Sequence, residues 1–292
     1  VGVDVSAKTL DVATYYGYFA QKISTSKLDR EAQLYLDAFA LGTDLNEYSV
    51  TGKGLPYQED MIEYLLNCQQ DNGRCCITGS GYYSYGTDPM SFAVLDMYFA
   101  GGSQWGNETE GTQKGRDGAI RYLLSCLADA SGSGKYYNES GLTEDSSAYY
   151  DQCAQAEYVL ALSRVADDPV YGEEVKDAIA GVLQTLENTY DSDQVLYTRT
   201  AAYYVSAFIA GADVTDSKVK ANHYLALAED IVENDLLTAV CADGSYSEMV
   251  NAAGMSGDSE ATVAVMMALG DFSREQAIVT TYRYDIPENN AA

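Results

Sequence analysis

The stretch from Asp258 to Gly270, DSEATVAVMMALG, opens on a residue able to cap a helix, closes on a glycine, and is apolar nearly all round between them. About three turns of such a helix need burial on every side. Three other segments share the apolar run and the closing glycine: Arg30 to Gly42 (REAQLYLDAFALG), Asp88 to Gly101 (DPMSFAVLDMYFAG) and Arg199 to Gly211 (RTAAYYVSAFIAG). The closing glycines fall 59, 110 and 59 residues apart. The middle gap is two periods, and Asp151 to Ala166 (DQCAQAEYVLALSRVA) fills it with the same apolar character but no glycine. Glycine just past a helix is a common left-handed stop, so each of the four is predicted to end its helix. Asp88 ahead of Pro89, Asp151 and Asp258 are predicted N-caps.

Between these segments lie helices of a different kind. Glu59 to Gln69, Arg116 to Leu127, Glu173 to Asn188 and Ser217 to Asn234 are amphipathic at the 3.6-residue period. An opening helix over 7–23 and a closing one over 274–282 complete the set. Turn signals follow several of them, at Asp71-Asn72-Gly73, Ser131-Gly132-Ser133-Gly134, Asp191-Ser192-Asp193 and Asp243-Gly244-Ser245. No strand run stands out. Buried helices alternating with amphipathic ones predict an all-α fold in two concentric layers, an α/α toroid (barrel) of about five helical hairpins by the logic of repeats. It is expected as one domain over 1–285, with 286–292 as a C-terminal linker or tail.

Charge excludes whole classes of partner. Seventeen Lys and Arg against 44 Asp and Glu leave a formal net charge of −27. Binding nucleic acid through phosphates, or docking on anionic lipid, needs clustered basic residues. Disorder is excluded in turn, because 47% of the residues are apolar and can fill a large core. No run of 18 apolar residues exists, so no membrane insertion is expected. Val1 begins no basic-then-apolar leader, and a mature or trimmed form, with its signal peptide removed, is expected.

The six cysteines are Cys68, Cys75, Cys76, Cys126, Cys153 and Cys241. They form no CxxC pair, which argues against a zinc ribbon. One or two disulfides in a secreted chain, or buried thiols, both fit. Asn107-Glu108-Thr109 and Asn138-Glu139-Ser140 match the glycosylation sequon, which matters only in a eukaryotic secretory path. Twenty-six Tyr against six Phe and one Trp make the aromatic content lopsided. Tyrosine joins an apolar body to a polar tip. It serves amphipathic helix packing or lines a groove for sugars or peptides, and the sequence allows both.

The helix-pair period, together with Cys241-Ala242-Asp243-Gly244-Ser245-Tyr246 leading into Asp258 to Gly270, resembles the terpenoid cyclase and protein prenyltransferase superfamily. A DGS(Y/F) turn followed by a helix of the form D-x-x-A-T-x-x-x-x-x-A-L is similar to the prenyltransferase and squalene-oxidase-type repeats, and the likeness covers most of the chain in five degenerate units. It implies the toroid, and a degenerate, secreted bacterial type that lacks the catalytic motifs. The D-x-D-D acid of class II terpene cyclases is missing, since Asp167-Asp168 and Asp191-Ser192-Asp193 both fall short. So is the Cys-Gly-Glu-Gln of thioester domains. The prenyltransferase zinc set would use a D-x-C pair, and Asp151-Gln152-Cys153 has that form at a helix start. The third ligand would be a His near Thr198-Arg199, and the only His is His223, on an outer helix. Asp151 and Cys153 are therefore weak metal candidates, no metal or other cofactor is expected, and a zinc prenyltransferase-like or terpene cyclase-like enzyme is a remote alternative. Asp151 is better read as a cap, Cys153 as core filler and His223 as a solvated or packing residue.

Two function classes remain. The first is a secreted or cell-surface binding module for carbohydrate, peptide or another surface protein. Its ligand would sit where the inner-helix N-termini offer unpaired N–H groups and partial positive charge. The residues placed near that rim are Tyr82, Tyr83, Tyr85, Asp88, Tyr149, Tyr150, Asp151, Tyr197, Arg199, Tyr246, Glu248, Asp258 and Glu260. Trp105 is expected at the opposite end. The second is a carbohydrate-active enzyme, a hydrolase or a polysaccharide lyase, on the same architecture. A hydrolase needs a pair of carboxylates, and Asp88, Asp151, Glu157, Asp258 and Glu260 are available. A lyase would pair Tyr197 as base with Arg199, but a −27 chain repels a polyanion unless the cleft is locally basic.

Overall fold

The computed structural model describes residues 69–71, 73, 115–125, 149–191, 195–251 and 256–284. These are mostly helical. In chain order they form α1 (Arg116–Ser125), α2 (Tyr149–Ser163), α3 (Gly172–Asp191), α4 (Thr198–Val214), α5 (Lys218–Ile231), β1 (Tyr246–Ser247), β2 (Gly257–Asp258) and α6 (Ser259–Tyr284). A π turn at Val232–Leu236 and a 3₁₀ turn at Leu237–Ala239 prolong α5. None of the described helices is long and apolar enough to cross a membrane. The chain divides into two compact units: α2, most of α3 and everything after it belong to one, and α1 with 164–175 to the other. The predicted helices at 7–23, Arg30 to Gly42, Glu59 to Gln69 and Asp88 to Gly101, and Trp105, lie outside the described residues, save for Gln69 itself.

In the first unit α4 is the central element, packed against α2, α5 and α6. It fits that place because it is apolar all round: Ala201, Ala202, Tyr204, Val205, Ala207, Phe208 and Ile209 are all buried. Full burial of a side chain the size of Phe208 is worth about 1.5–3 kcal/mol. Phe208 links α4 to α5 by stacking on Tyr224, with centroids 6.1 Å apart, and meets Tyr204 edge-on at 6.3 Å. Burial of the Tyr204 ring pushes its hydroxyl well above the ordinary tyrosine range. α2 is buried nearly all round as well, from Gln152 to Leu162. α3 and α5 are amphipathic as expected: α3 buries Val175, Ala178, Ile179, Val182, Leu183 and Leu186, and α5 buries only Tyr224, Ala228 and Ile231. Ser217 caps α5, its Oγ accepting from the Lys220 N–H.

Three expectations are corrected here. Gly211 and Gly270 do not stop their helices, since α4 runs to Val214 and α6 to Tyr284. Gly211 is a packing residue, because a Cβ there would run into Leu183 of α3. Gly270 is an exposed interior glycine with nothing within 4 Å of a Cβ. The helix continues through it because a glycine costs only about 1 kcal/mol against alanine, and Asp271 just beyond accepts a 2.9 Å hydrogen bond from Ser206 on α4. The segments Asp258 to Gly270 and 274–282 are therefore one helix. Nor is α6 buried on every side: Val263, Met266 and Met267 are exposed, because α4 and the strands cover only the flank of Ala261, Ala264, Val265 and Ala268. Lastly, β1 and β2 form a short antiparallel ladder where no strand was predicted, pairing Tyr246 with Asp258 and Ser247 with Gly257.

The second unit is organised by buried polar contacts. Gln69 donates to the carbonyls of Gly73 (3.0 Å) and Gly115 (2.9 Å), joining a turn to the start of α1. Gly73 lies at φ 91°, where glycine is favoured, and its N–H donates to the Gln70 carbonyl at 2.9 Å. Asp168 organises the turn before α3. Its Oδ1 accepts the N–H groups of Val170 and Tyr171, and its Oδ2 meets Arg116 of α1 at 3.1 Å. Burial alone would push that carboxyl up, but the two N–H groups and the guanidinium outweigh it and hold Asp168 below the usual carboxylate range. Gly172 follows because a Cβ there would sit 2.5 Å from the Ala166 carbonyl oxygen.

Candidate functional site

The starts of α4 and α6 are brought to one place by the chain between Val240 and Asp258. α4 begins without a side-chain cap, as Tyr197 supplies none. The strand-like run 248–250 satisfies it instead: the Thr198 N–H donates to the Glu248 carbonyl at 2.9 Å, and the Val250 N–H to that of Leu196 at 3.1 Å. Tyr197 and Met249 thus form an antiparallel bridge. Two residues earlier the same run enters β1, whose partner β2 leads directly into α6. The Asp243-Gly244-Ser245 turn aims it there. Gly244 sits at φ 87°, and Asp243 accepts from both the N–H and the hydroxyl of Ser245. Those bonds hold the Asp243 carboxyl below its ordinary range. Gly257 is required opposite, since a Cβ would collide with the Ser245 side chain.

This arrangement places six of the predicted rim residues side by side. Tyr197 and Arg199 stand at the start of α4, Tyr246 and Asp258 face each other in the ladder, Glu248 is exposed between them, and Glu260 begins α6. Arg199 Nη1 meets Glu260 Oε2 at 3.0 Å, with side-chain exposures of 30% and 71%. The guanidinium also lies 5.4 Å from the centre of the Tyr203 ring, a cation–π contact. Asp258 caps α6 as predicted, its Oδ1 accepting from the Ala261 N–H at 2.7 Å. Sequence reasoning missed Tyr203 and Thr262. Tyr203 is four residues after Arg199, the spacing that puts two side chains on one helix face. Thr262 accepts from the Tyr246 N–H (3.0 Å) and donates to the Asp258 carbonyl (2.6 Å), pinning the ladder to the helix.

The other predicted residues fall elsewhere. Tyr82, Tyr83, Tyr85 and Asp88 lie outside the described residues. Tyr149, Tyr150 and Asp151 are on the first turn of α2, so Asp151 stands inside the helix rather than at its N-cap: the helix starts two residues earlier than its apolar pattern. Cys153 is buried, and its Sγ lies 3.4 Å from the Thr200 hydroxyl. Cys153 and Cys241 are thiols, not disulfide partners, and the other four cysteines lie outside the described residues. His223 is exposed on α5 and meets Glu187 of α3 at 2.7 Å.

Two carboxylates of this rim are engaged structurally, Asp258 with a helix end and Glu260 with Arg199. What the surface offers a ligand is the half-buried Tyr197, Tyr203 and Tyr246 beside the Arg199–Glu260 ion pair. Glu157 on α2 is different. It is 3% exposed, and neither carboxyl oxygen has a hydrogen-bond partner. A buried polar group in that condition is costly, more so if charged. Comparison with protein-family models, with curated proteins and with solved structures gives no match in any of the three.

Proposed function

We propose that this chain is a secreted or cell-surface binding module of the terpenoid cyclase and prenyltransferase type of α/α toroid, without the catalytic motifs. Its ligand, a carbohydrate or a peptide, sits on the rim formed at the starts of α4 and α6. The observation that carries this reading is the junction of Tyr197 and Arg199 with Tyr246 and Glu260, from chain segments about fifty residues away, on one solvent-reached surface. Tyrosine and arginine suit that role, because rigid aromatic faces and a planar donor fork bind polar ligands at low entropic cost. The toroid itself is supported by the alternation of the buried α2 and α4 with the amphipathic α3 and α5. A glycan and peptide array tests the reading. Binding that is lost in Tyr197→Ala and Tyr246→Ala supports it, and silence across sugars and peptides overturns it.

The competing reading, a carbohydrate-active enzyme, draws on Glu157. A carboxyl withdrawn from water is one setting in which a general acid is found, and Glu157 is buried. Reducing-sugar release from a polysaccharide panel, abolished in Glu157→Gln, would establish it. The engagement of Asp258 and Glu260 as cap and ion pair favours the binding module.

A further inference from the structure

We draw no further inference here: the strongest candidate, the exposed apolar stripe of Val263, Met266 and Met267 on the first turns of α6, is an unpartnered helix face and nothing in the structure shows what covers it.

Discussion

Arg199 and Glu260 join the first turns of two helices, with Nη1 and Oε2 3.0 Å apart although the two residues stand 61 positions apart in sequence. Both side chains keep water contact, so their Coulomb attraction is largely screened. A double-mutant cycle with Arg199→Ala and Glu260→Ala, followed by urea unfolding, is expected to give a coupling of at most ~1 kcal/mol that shrinks as salt rises. Coupling of several kcal/mol would show that the pair clamps the helices rather than decorating a surface.

Gly211 and Gly270 are predicted to respond in opposite directions to the same substitution. Gly211→Ala inserts a methyl group where Leu183 stands and is expected to destabilise by ~1–3 kcal/mol, the usual cost of overpacking. Gly270→Ala adds a methyl group to open space in a helix interior and is expected to stabilise by ~0.5–1 kcal/mol. Thermal and denaturant midpoints of the two variants, each against wild type, decide the matter. Equal effects would contradict the packing described for α4 and α3.

Glu157 leaves two buried oxygens without hydrogen bonds. Glu157→Leu, of similar volume, is expected to raise unfolding free energy by ~1–3 kcal/mol at neutral pH, because it removes that desolvation cost. The same variant then separates the two functional readings. Unchanged ligand binding with higher stability assigns Glu157 to the core, whereas higher stability with lost activity is the mark of a residue kept for function.

Asp168 gives unit-level stability a defined pH dependence. Its folded pKa is depressed by the N–H groups of Val170 and Tyr171 and by Arg116, which together outweigh the effect of burial. A depressed carboxyl contributes stability that is present above its unfolded pKa of about 3.9 and is lost as pH falls through the lower folded value. Acid titration of unfolding should therefore show a loss in that window which Asp168→Ala lacks, the variant itself being weaker by ~0.5–2 kcal/mol at neutral pH through the missing turn contacts. Wild type and variant falling in parallel through that window would remove Asp168 from the acid transition.

Helix identity was legible because it is written locally. The 3.6-residue spacing in Glu173 to Asn188, the all-round apolar run of Arg199 to Gly211 and the Asp258 cap each express an interaction reaching no further than one turn. The turn at Asp243-Gly244-Ser245 was legible for the same reason. Helix ends were less so. Tyr197 carries no capping side chain, and the backbone that completes α4 comes from Glu248, about fifty residues away. No periodicity in either segment signals that exchange.

Among the described residues, the sequence by itself therefore located the helices within Glu173 to Asn188, Arg199 to Gly211 and Ser217 to Asn234, and the burial of the run from Ala201 to Ile209. Tertiary structure alone decided what identical-looking residues do. Two glycines close two similar apolar runs, yet one is held by Leu183 and the other faces open space. The packing of α4 beside α6 is what sets Arg199 of one helix start against Glu260 of the other. Propensity and periodicity act over a few residues, whereas the space beside a side chain is set by chain segments tens of residues away.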